Sequence, residues 1–213
     1  TLVETSELQR RSFNLAFEEV GLDWYWNTAT YCKLITEPGG RRRIRNYGDN
    51  KLSDSQITEL HRLKEKFFCD IVPDQLYLRP TVKSVILDAR EKDIRIGFVT
   101  TTSQKNIDLI KNRVRHDIDI DSFDLVTTSK DVKNPKPAPD VYEYATRRLN
   151  LDTSDVLAIE DTAVNRNCAL AAGIKCVLFP GEYAEIPPEN RYQVLTYNLT
   201  NMLESELGAI SNP

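Results

Sequence analysis

Apolar residues recur at helical spacing from residue 6 to about residue 75, which predicts that the first part of the chain is helical. The first helix is expected to end at Gly21, because glycine favours the left-handed conformation found after helices. A second long helix is expected after Ser53, because Gln56 stands three residues on and completes a capping-box pattern. The two apolar stripes are Leu8, Phe13, Phe17 and Val20, then Ile57, Leu60, Leu63 and Phe67.

From about residue 80 onwards, short apolar runs alternate with amphipathic segments. The runs typical of strands are IRIGFVT, FDLVTTS, VLAIED and KCVLFPG. The segments typical of helices are VKSVILDAREKD, IDLIKNRV, DVYEYATRRLN and NRNCALAAG. This alternation predicts an α/β fold with a parallel sheet, and such sheets bind ligands at the carboxyl ends of their strands. Candidate chemistry is therefore expected in the polar residues that directly follow each apolar run.

Hydroxyl groups follow the first of these runs. Thr100, Thr101 and Thr102 come directly after Val99 and precede Ser103. Their hydroxyls and the N–H groups of the turn can donate hydrogen bonds to an oxyanion such as phosphate. The same residues also suit an ordinary cap of the helix that follows, so this motif alone leaves both interpretations open.

A lysine between two prolines follows the second run. Lys136 lies between Pro135 and Pro137 in the stretch KDVKNPKPAPD. Because proline fixes φ, this loop can hold the lysine ammonium at one point, which suits neutralising a bound anion. Lys133 is a second candidate, and a stiff surface loop with a solvated lysine is the alternative interpretation.

Two adjacent carboxylates, Glu160 and Asp161, end the third run. Two carboxylates are unfavourable side by side without a cation, and hard oxygen ligands at such a position suit Mg²⁺. The sequence therefore predicts Mg²⁺ as the cofactor. The alternative is that Asp161 caps the helix that follows.

Four arginines lie within five residues in the stretch EPGGRRRIRNYG, which belongs to the helical part of the chain. Arg41 directly follows Gly40, and Arg43 comes two residues later. Guanidinium groups bind phosphate through paired, charge-assisted hydrogen bonds, so this cluster is a candidate anion site. The alternative is a solvated helix start.

The composition narrows the class of protein. The 213 residues are 40% hydrophobic and 28% charged, with a formal net charge of −4. General nucleic-acid binders usually carry a basic excess, so no nucleic-acid partner is expected.

No apolar stretch approaches a membrane span, and the four cysteines include no CxxC pair. We expect a monomer without a membrane partner, in the cytoplasm or in an organelle such as a plastid. His61 and His116 follow no strand and are expected at the surface.

The order hydroxyl, lysine, acidic pair resembles the second, third and fourth motifs of the haloacid dehalogenase superfamily. The phrases KPAPDVY and AIEDTAVNRNCALAAGIKCV are similar to the wording of that family, and the resemblance covers nearly the whole chain. It implies a Rossmann-like α/β core in which Thr100, Lys136 and Asp161 are catalytic. It also implies that Asp161 and Glu160 hold Mg²⁺.

The first motif of this family, Asp-x-Asp-Gly-Thr, supplies the nucleophilic and the acid/base aspartates. By this resemblance Thr1 is the last residue of that motif, and both aspartates and the first strand are expected before it. The implied reaction is attack of the first aspartate on phosphorus, which gives an aspartyl-phosphate that water then hydrolyses.

The helical part lies where relatives of this family insert an α-helical cap. The expected division is therefore 1–5 as the start of the core, 6–79 as the cap and 80–213 as the core. The phrase GGRRRI resembles the GGKERI of CbbY-type sugar-phosphate phosphatases, a subgroup similar to β-phosphoglucomutases. This implies a phosphorylated sugar as substrate, for example xylulose 1,5-bisphosphate. The expected substrate-binding residues are Arg43, Arg41, Gly40, Gln9, Thr101 and Thr102.

Two other functions stay open at this point. One is a β-phosphoglucomutase-like phosphotransferase, against which Gln9 counts, because the mutase relatives have a histidine here and glutamine cannot change its charge. The other is a non-catalytic phosphate-binding protein on the same scaffold, which applies if the natural chain begins at Thr1.

Overall fold

The computed structural model describes residues 1–188 and 198–208, with side chains up to Glu204 in the last segment. Within these residues, helices and strands follow one another in the order predicted from the sequence. The elements are α1 (Ser6–Glu19), α2 (Thr28–Leu34), α3 (Gly40–Tyr47), α4 (Asp54–Ile71), α5 (Val82–Glu91), β1 (Gly97–Phe98), α6 (Gln104–Val114), β2 (Leu125–Val126), α7 (Asp140–Leu149), β3 (Leu157–Glu160), α8 (Ala163–Ala171), β4 (Lys175–Leu178) and α9 (Leu199–Gly208). The predicted core range 80–213 also includes residues 189–197 and 209–213, which lie outside the described residues.

Helices α1 to α4 form the helical block, in which α1 packs along α4. Helix α4 begins as predicted, since the Ser53 side chain accepts from the Gln56 N–H and the Gln56 side chain accepts from the Ser53 N–H. Gly21 follows α1 with a positive φ of 70°. An aromatic and aliphatic core fills the space between the helices; its fully buried members include Phe13, Phe17, Trp26, Ile44 and Ile57.

The strands form two parallel pairs, and the predicted α/β class is confirmed. Gly97 of β1 lies opposite Leu125 of β2, while β3 and β4 run side by side from Leu157↔Lys175 to Glu160↔Leu178. Within the described residues β1 and β3 do not pair with each other. Within each pair the carboxyl ends lie at the same edge. The Lys136 Nζ contacts both the Val99 carbonyl after β1 and Glu160 at the end of β3, so the carboxyl ends of the two pairs lie close together.

Both faces of β3 are covered. Successive side chains of a strand point to opposite faces of the sheet, so β3 contributes to two different clusters. Ala158 joins a cluster with Val141 and Ile174, whereas Leu157 and Ile159 pack against a separate cluster around Val177. Burial on both faces explains why this run is apolar throughout in the sequence. None of the helices in the described residues is long and apolar enough to cross a membrane.

Two extended linkers join the helical block to the sheet. Val3 and Leu78 form an antiparallel bridge, and the Arg79 N–H donates to the Leu2 carbonyl at 2.9 Å. Just beyond, Thr81 has a left-handed φ of 65°, which is unusual for a β-branched residue. Its hydroxyl accepts a hydrogen bond from the Leu199 N–H at 2.8 Å. This contact ties the start of α5 to α9 and offsets part of the backbone strain.

Candidate active site

A partly buried lysine and a buried glutamate meet at the carboxyl edge of the sheet. Lys136 reaches this edge from the loop before α7, and Glu160 is the last residue of β3. The Lys136 Nζ donates to Glu160 Oε1 at 2.5 Å and to the Val99 carbonyl, just after β1, at 3.1 Å. Lys136 therefore bridges the ends of the two strand pairs, and Lys133, the competing candidate, is exposed.

Tyr142 completes this charge pair. Its hydroxyl donates to Glu160 Oε1 and also accepts from the Lys136 Nζ at 3.3 Å. Burial and the Glu160 carboxylate raise the pKa of the Tyr142 hydroxyl, so the phenol stays protonated as a donor. Only 4% of Glu160 is exposed, and a buried carboxyl group needs hydrogen-bond partners of this kind.

Glu160 has partners that the sequence did not predict, since its Oε1 accepts from both Lys136 and Tyr142. The expected role of Glu160 as a metal ligand beside Asp161 stays a prediction. Tyr142 and the Val99 carbonyl were missed by sequence reasoning. The tyrosine lies six residues after Lys136 on an ordinary amphipathic helix, and a carbonyl carries no sequence signal.

Asp161 projects beyond the end of β3 and does not cap the helix that follows. The cap of α8 is Thr162, whose hydroxyl accepts from the Asn165 N–H at 3.3 Å. One oxygen of Asp161 accepts from the Thr1 nitrogen at 3.2 Å. The pKa of Asp161 is lowered against the effect of burial, and Lys136 is one of the positive charges that lower it.

The threonine turn after β1 lies next to Lys136. The Thr100 N–H donates to Thr127 Oγ1 at 2.8 Å, and the Thr127 hydroxyl donates back to the Thr100 carbonyl at the same distance. Thr100 Oγ1 accepts from the Thr102 N–H at 3.2 Å. The cap of α6 is Ser103, so the interpretation of Thr100 and Thr102 as ordinary caps is excluded. The Thr100 hydroxyl hydrogen stays available to an anion.

Thr101 lies between these two residues and is half-buried. It makes no side-chain hydrogen bond with any described residue. Thr102 Oγ1 accepts from the Asn106 side chain at 3.1 Å, which uses a lone pair and leaves its hydroxyl hydrogen free. None of the three hydroxyl hydrogens has an acceptor among the described residues, so each can donate to an anion.

Carboxylates at the sheet edge are the side chains that could hold a divalent cation. The described residues contain no group of three or more His, Cys, Asp or Glu side chains with metal-site spacing. Asp161 remains as an ionised oxygen ligand at the edge of the sheet. Mg²⁺ usually keeps several waters and takes only one or two carboxylates together with substrate phosphate, so Asp161 fits as part of such a set.

A second group of candidates lies in the helical block, around the start of α3. Helix α3 begins at Gly40, and a Cβ at this position would lie 2.8 Å from His61 Nε2 on α4. Arg43 is half-buried, with its Nε donating to the Glu37 carbonyl at 3.2 Å and its guanidinium 5.8 Å above the Tyr31 ring. Burial lowers the pKa of Arg43, and the nearby Tyr31 opposes that shift.

Helix α4 adds two basic side chains that sequence reasoning did not assign to this group. Only 6% of Lys64 is exposed, and its Nζ lies 5.4 Å from the Phe13 ring centroid. It makes no hydrogen bond or ion pair with any described residue. Burial lowers the pKa of Lys64 to about 8, with Arg43 acting in the same direction.

His61 stands one turn before Lys64 on the same face of α4. The expectation of a surface histidine is wrong, because His61 packs beneath Gly40. Burial, Lys64, Arg41 and Arg43 lower its pKa to about 4. We call Arg41, Arg43 and Lys64 the cationic cluster, and His61 lies beside it as a neutral imidazole at pH 7. The HxxK spacing on an otherwise regular helix was the available signal.

The structure therefore brings the predicted residues together in two places. The sheet-edge site contains Thr100, Lys136, Glu160 and Asp161, and the cationic cluster surrounds Gly40. Gln9 lies on α1 in neither group and makes no side-chain hydrogen bond with the described residues. His116 is a partly exposed side chain beside Tyr77 and Asp117, as expected.

Comparison with known proteins shows the family to which the chain belongs. The haloacid dehalogenase-like hydrolase family matches residues 1–179. The chain belongs to this family. It is similar to protein CbbY of Rhodobacter capsulatus, with 35% identity over 187 residues that cover 86% of this chain and 82% of that protein. CbbY of Cereibacter sphaeroides is 33% identical over 86% of this chain and 81% of its own length.

Solved structures give the same grouping. CbbY from Rhodobacter sphaeroides, in complex with xylulose-(1,5)bisphosphate, superposes with a TM-score of 0.78 at 32% identity, covering 87% of this chain and 84% of that one. A β-phosphoglucomutase from Clostridium difficile superposes with a TM-score of 0.76 at 17% identity, covering 100% and 95%. The second likeness shows the fold alone. The predicted family and fold class are thus confirmed.

Proposed function

We propose that this protein is a Mg²⁺-dependent phosphatase that hydrolyses a phosphorylated sugar carrying two phosphate groups. The observation that carries the proposal is the buried bridge from Lys136 to Glu160 and the Val99 carbonyl, with Thr100 and Asp161 beside it. This arrangement presents a fixed ammonium, a free hydroxyl and an ionised carboxylate at one sheet edge. The complex of its relative CbbY with xylulose-(1,5)bisphosphate supports the substrate class.

Each residue at the sheet edge has a stated task in this proposal. The Lys136 ammonium and the Thr100 hydroxyl offset negative charge on the phosphoryl group as it is transferred. Glu160 and Tyr142 keep Lys136 at one position. Asp161 would hold the Mg²⁺, which supplies Lewis-acid stabilisation of phosphate oxygens when it is bound. Because these groups are preorganised by buried hydrogen bonds, little rearrangement is needed during the reaction.

The nucleophile of the family belongs to its first motif. By resemblance the nucleophilic aspartate stands four positions, and the acid/base aspartate two positions, before Thr1. The distance of 3.2 Å between the Thr1 nitrogen and Asp161 supports this assignment, because residues joined to Thr1 would start at the sheet-edge site. Within the described residues β1 and β3 do not pair with each other, which accords with a further strand between them.

The helical block acts as the cap in this proposal, with the division 1–5, 6–79 and 80–213. A cap that closes over the site excludes water and selects the substrate. The cationic cluster is proposed to bind the second, non-reacting phosphate through Arg43 and Arg41, beside Gly40. Lys64 supports this assignment, since a buried ammonium without an ion-pair partner among the described residues gains stability from a bound anion.

The experiment is an assay of the protein as its gene encodes it, on a panel of sugar monophosphates and bisphosphates. We expect phosphate release that requires Mg²⁺, stops with EDTA and is fastest with a bisphosphate. An isomeric sugar phosphate without net phosphate release would instead establish a phosphotransferase. Binding without turnover, together with a coding sequence lacking Asp-x-Asp-Gly before Thr1, would establish a non-catalytic binder.

A further inference from the structure

The loop that follows β4 connects the sheet-edge site with the helical block. It runs from Phe179 to Tyr183 and is described throughout. At its middle, the Gly181 N–H donates to the Asp161 carbonyl at 3.0 Å. The loop that reaches the helical block is therefore also hydrogen-bonded to the backbone of Asp161, the proposed metal ligand.

The base of this loop is held firmly to the linkers. The Arg79 guanidinium stacks on the Phe179 ring, 3.6 Å from its centroid, and donates to the Phe179 carbonyl at 2.9 Å. Arg79 also donates to the Pro180 carbonyl and pairs with Glu4 at 2.8 Å. Because Arg79 and Phe179 are buried, this end of the loop is a rigid base.

The tip of the loop contacts the helical block through one side chain. The Tyr183 hydroxyl donates to Glu7 Oε2 on α1 at 2.7 Å. The Tyr183 ring also meets Tyr31 of α2 edge-on, with the centroids 6.3 Å apart. Tyr31 in turn lies under Arg43 of the cationic cluster.

Glu7 is well prepared to accept this hydrogen bond. Arg10, one turn on, donates to both Glu7 oxygens at 2.7 and 2.8 Å. The Arg10 hydrogen bonds, opposed by partial burial and aided by Tyr183, lower the pKa of Glu7 to about 2. The acceptor is therefore ionised at any pH at which the protein works, and hydrogen bonds to charged acceptors are the stronger kind.

We propose that Tyr183 is a positioning residue that latches the helical block over the sheet-edge site. The inference rests on the proposed function, in which that block is a cap that opens and closes. The loop is rigid at its base, is hydrogen-bonded to Asp161 at its middle and contacts α1 at its tip. The closed arrangement therefore depends on the hydrogen bond from Tyr183 to Glu7 and on the ring contact of Tyr183 with Tyr31. Such a contact biases the open–closed equilibrium about tenfold without preventing release of product.

The test is Tyr183→Phe, which keeps the ring and removes the hydroxyl. We expect KM for the sugar phosphate to rise about three- to tenfold, with kcat unchanged or higher, because closure becomes less favourable while the reacting groups stay in place. Tyr183→Ala, which also removes the ring contact, is expected to raise KM further. An equal loss of kcat and kcat/KM would overturn the latch.

Tyr144→Phe is the matched control. It removes a comparable bond from a tyrosine hydroxyl to a carboxylate, that of Tyr144 to Asp131 at 3.2 Å, away from the loop. We expect KM to be unchanged in this variant. If Tyr144→Phe raised KM as much as Tyr183→Phe, the effect would be general and the proposal wrong.

A second readout separates this inference from the proposed function. Small-angle scattering of the protein as encoded measures the radius of gyration without substrate. We expect Tyr183→Phe and Tyr183→Ala to expand the molecule in that order, while Tyr144→Phe does not. Expansion in a protein without phosphatase activity would refute the function and keep the latch. Activity with neither expansion nor a change in KM would keep the function and refute the latch.

Discussion

Two lysines of this protein, the partly buried Lys136 and the buried Lys64, lie in opposite electrostatic surroundings. Lys136 at the sheet edge donates to a carboxylate, a phenol and a carbonyl. Lys64 in the helical block has aromatic rings around its ammonium and makes no ion pair with any described residue. One charge is therefore compensated within the fold, whereas the other is not.

The difference indicates how each lysine is used. A buried charge with a full set of partners keeps its position whether or not a ligand is present, which suits the group that must be ready for the reacting phosphate. A buried charge without partners destabilises the free protein and is stabilised by an anion that enters beside it. Lys64 and its neighbours therefore favour substrates with a second phosphate.

The largest expected effect comes from breaking the compensated pair with Lys136→Met. Glu160 would be left buried without its cation, so the free energy of unfolding is expected to fall by about 3–5 kcal/mol. Phosphatase kcat/KM is expected to fall by roughly 10³-fold or more, because charge on the phosphoryl group is no longer offset. Urea unfolding and steady-state kinetics measure the two effects.

Lys133→Met is the control for this change, because Lys133 is an exposed lysine of the same loop. We expect it to retain activity and stability. If Lys136→Met kept activity within tenfold of the parent, the assignment of the sheet-edge site would be wrong.

A smaller effect, selective for the substrate, is expected from Arg43→Ala. If Arg43 contacts the non-reacting phosphate, kcat/KM for a sugar bisphosphate should fall by the equivalent of about 2–3 kcal/mol, as for a charge-assisted hydrogen bond. For the corresponding monophosphate the loss should be much smaller. Arg42→Ala, at the exposed neighbouring position, is the control. Equal losses on both substrates would place Arg43 outside the proposed second phosphate site.

Replacing Lys64 by methionine should raise the free energy of unfolding, whereas replacing Lys136 should lower it. Methionine fills a similar volume without the uncompensated charge, so in a buffer free of multivalent anions we expect Lys64→Met to raise the free energy of unfolding by about 1–2 kcal/mol. The bisphosphate KM should meanwhile rise about tenfold. Lys66→Met, an exposed lysine of the same helix, should change neither quantity. Destabilisation by Lys64→Met would show that the ammonium has a partner in the free protein.

The same contrast explains what sequence reasoning could and could not predict. Lys136, Glu160 and Asp161 were found because each follows an apolar run, and the end of a parallel strand is a position that topology assigns to ligands. The capping box of α4 was predicted because Ser53 and Gln56 interact within one helical turn. Local patterns and strand order thus sufficed for the elements and for the sheet-edge site.

Features that depend on distant pairing were not predictable in this way. Nothing in the sequence near Glu160 distinguishes a metal ligand from the partner of Lys136, which lies 24 residues earlier. Tyr183 meets Glu7 across 176 residues, and no local pattern joins them. Lys64 occupies a position next to Leu63 that can face either solvent or the block, and only the packing of Phe13 and Phe68 around it decides.

The smallest expected effect is a dependence of stability on pH that arises from the uncompensated Lys64. Folding lowers the pKa of Lys64 from 10.5 to about 8. Below pH 8 the lysine is protonated in both states and its penalty is fully present. Between pH 8 and 10.5 the unfolded chain binds the additional proton, so the free energy of unfolding rises with pH.

Urea unfolding at pH 7 and pH 9.5, with the protein and with Lys64→Met, measures this dependence. We expect the stability advantage of Lys64→Met to shrink by roughly 1 kcal/mol at the higher pH, because the parent then loses its buried charge. The bisphosphate KM of the parent should rise over the same interval, since neutral Lys64 no longer attracts the second phosphate. A stability difference that is identical at both pH values would mean that Lys64 is charged throughout and has a counter-charge, which would remove the contrast with Lys136.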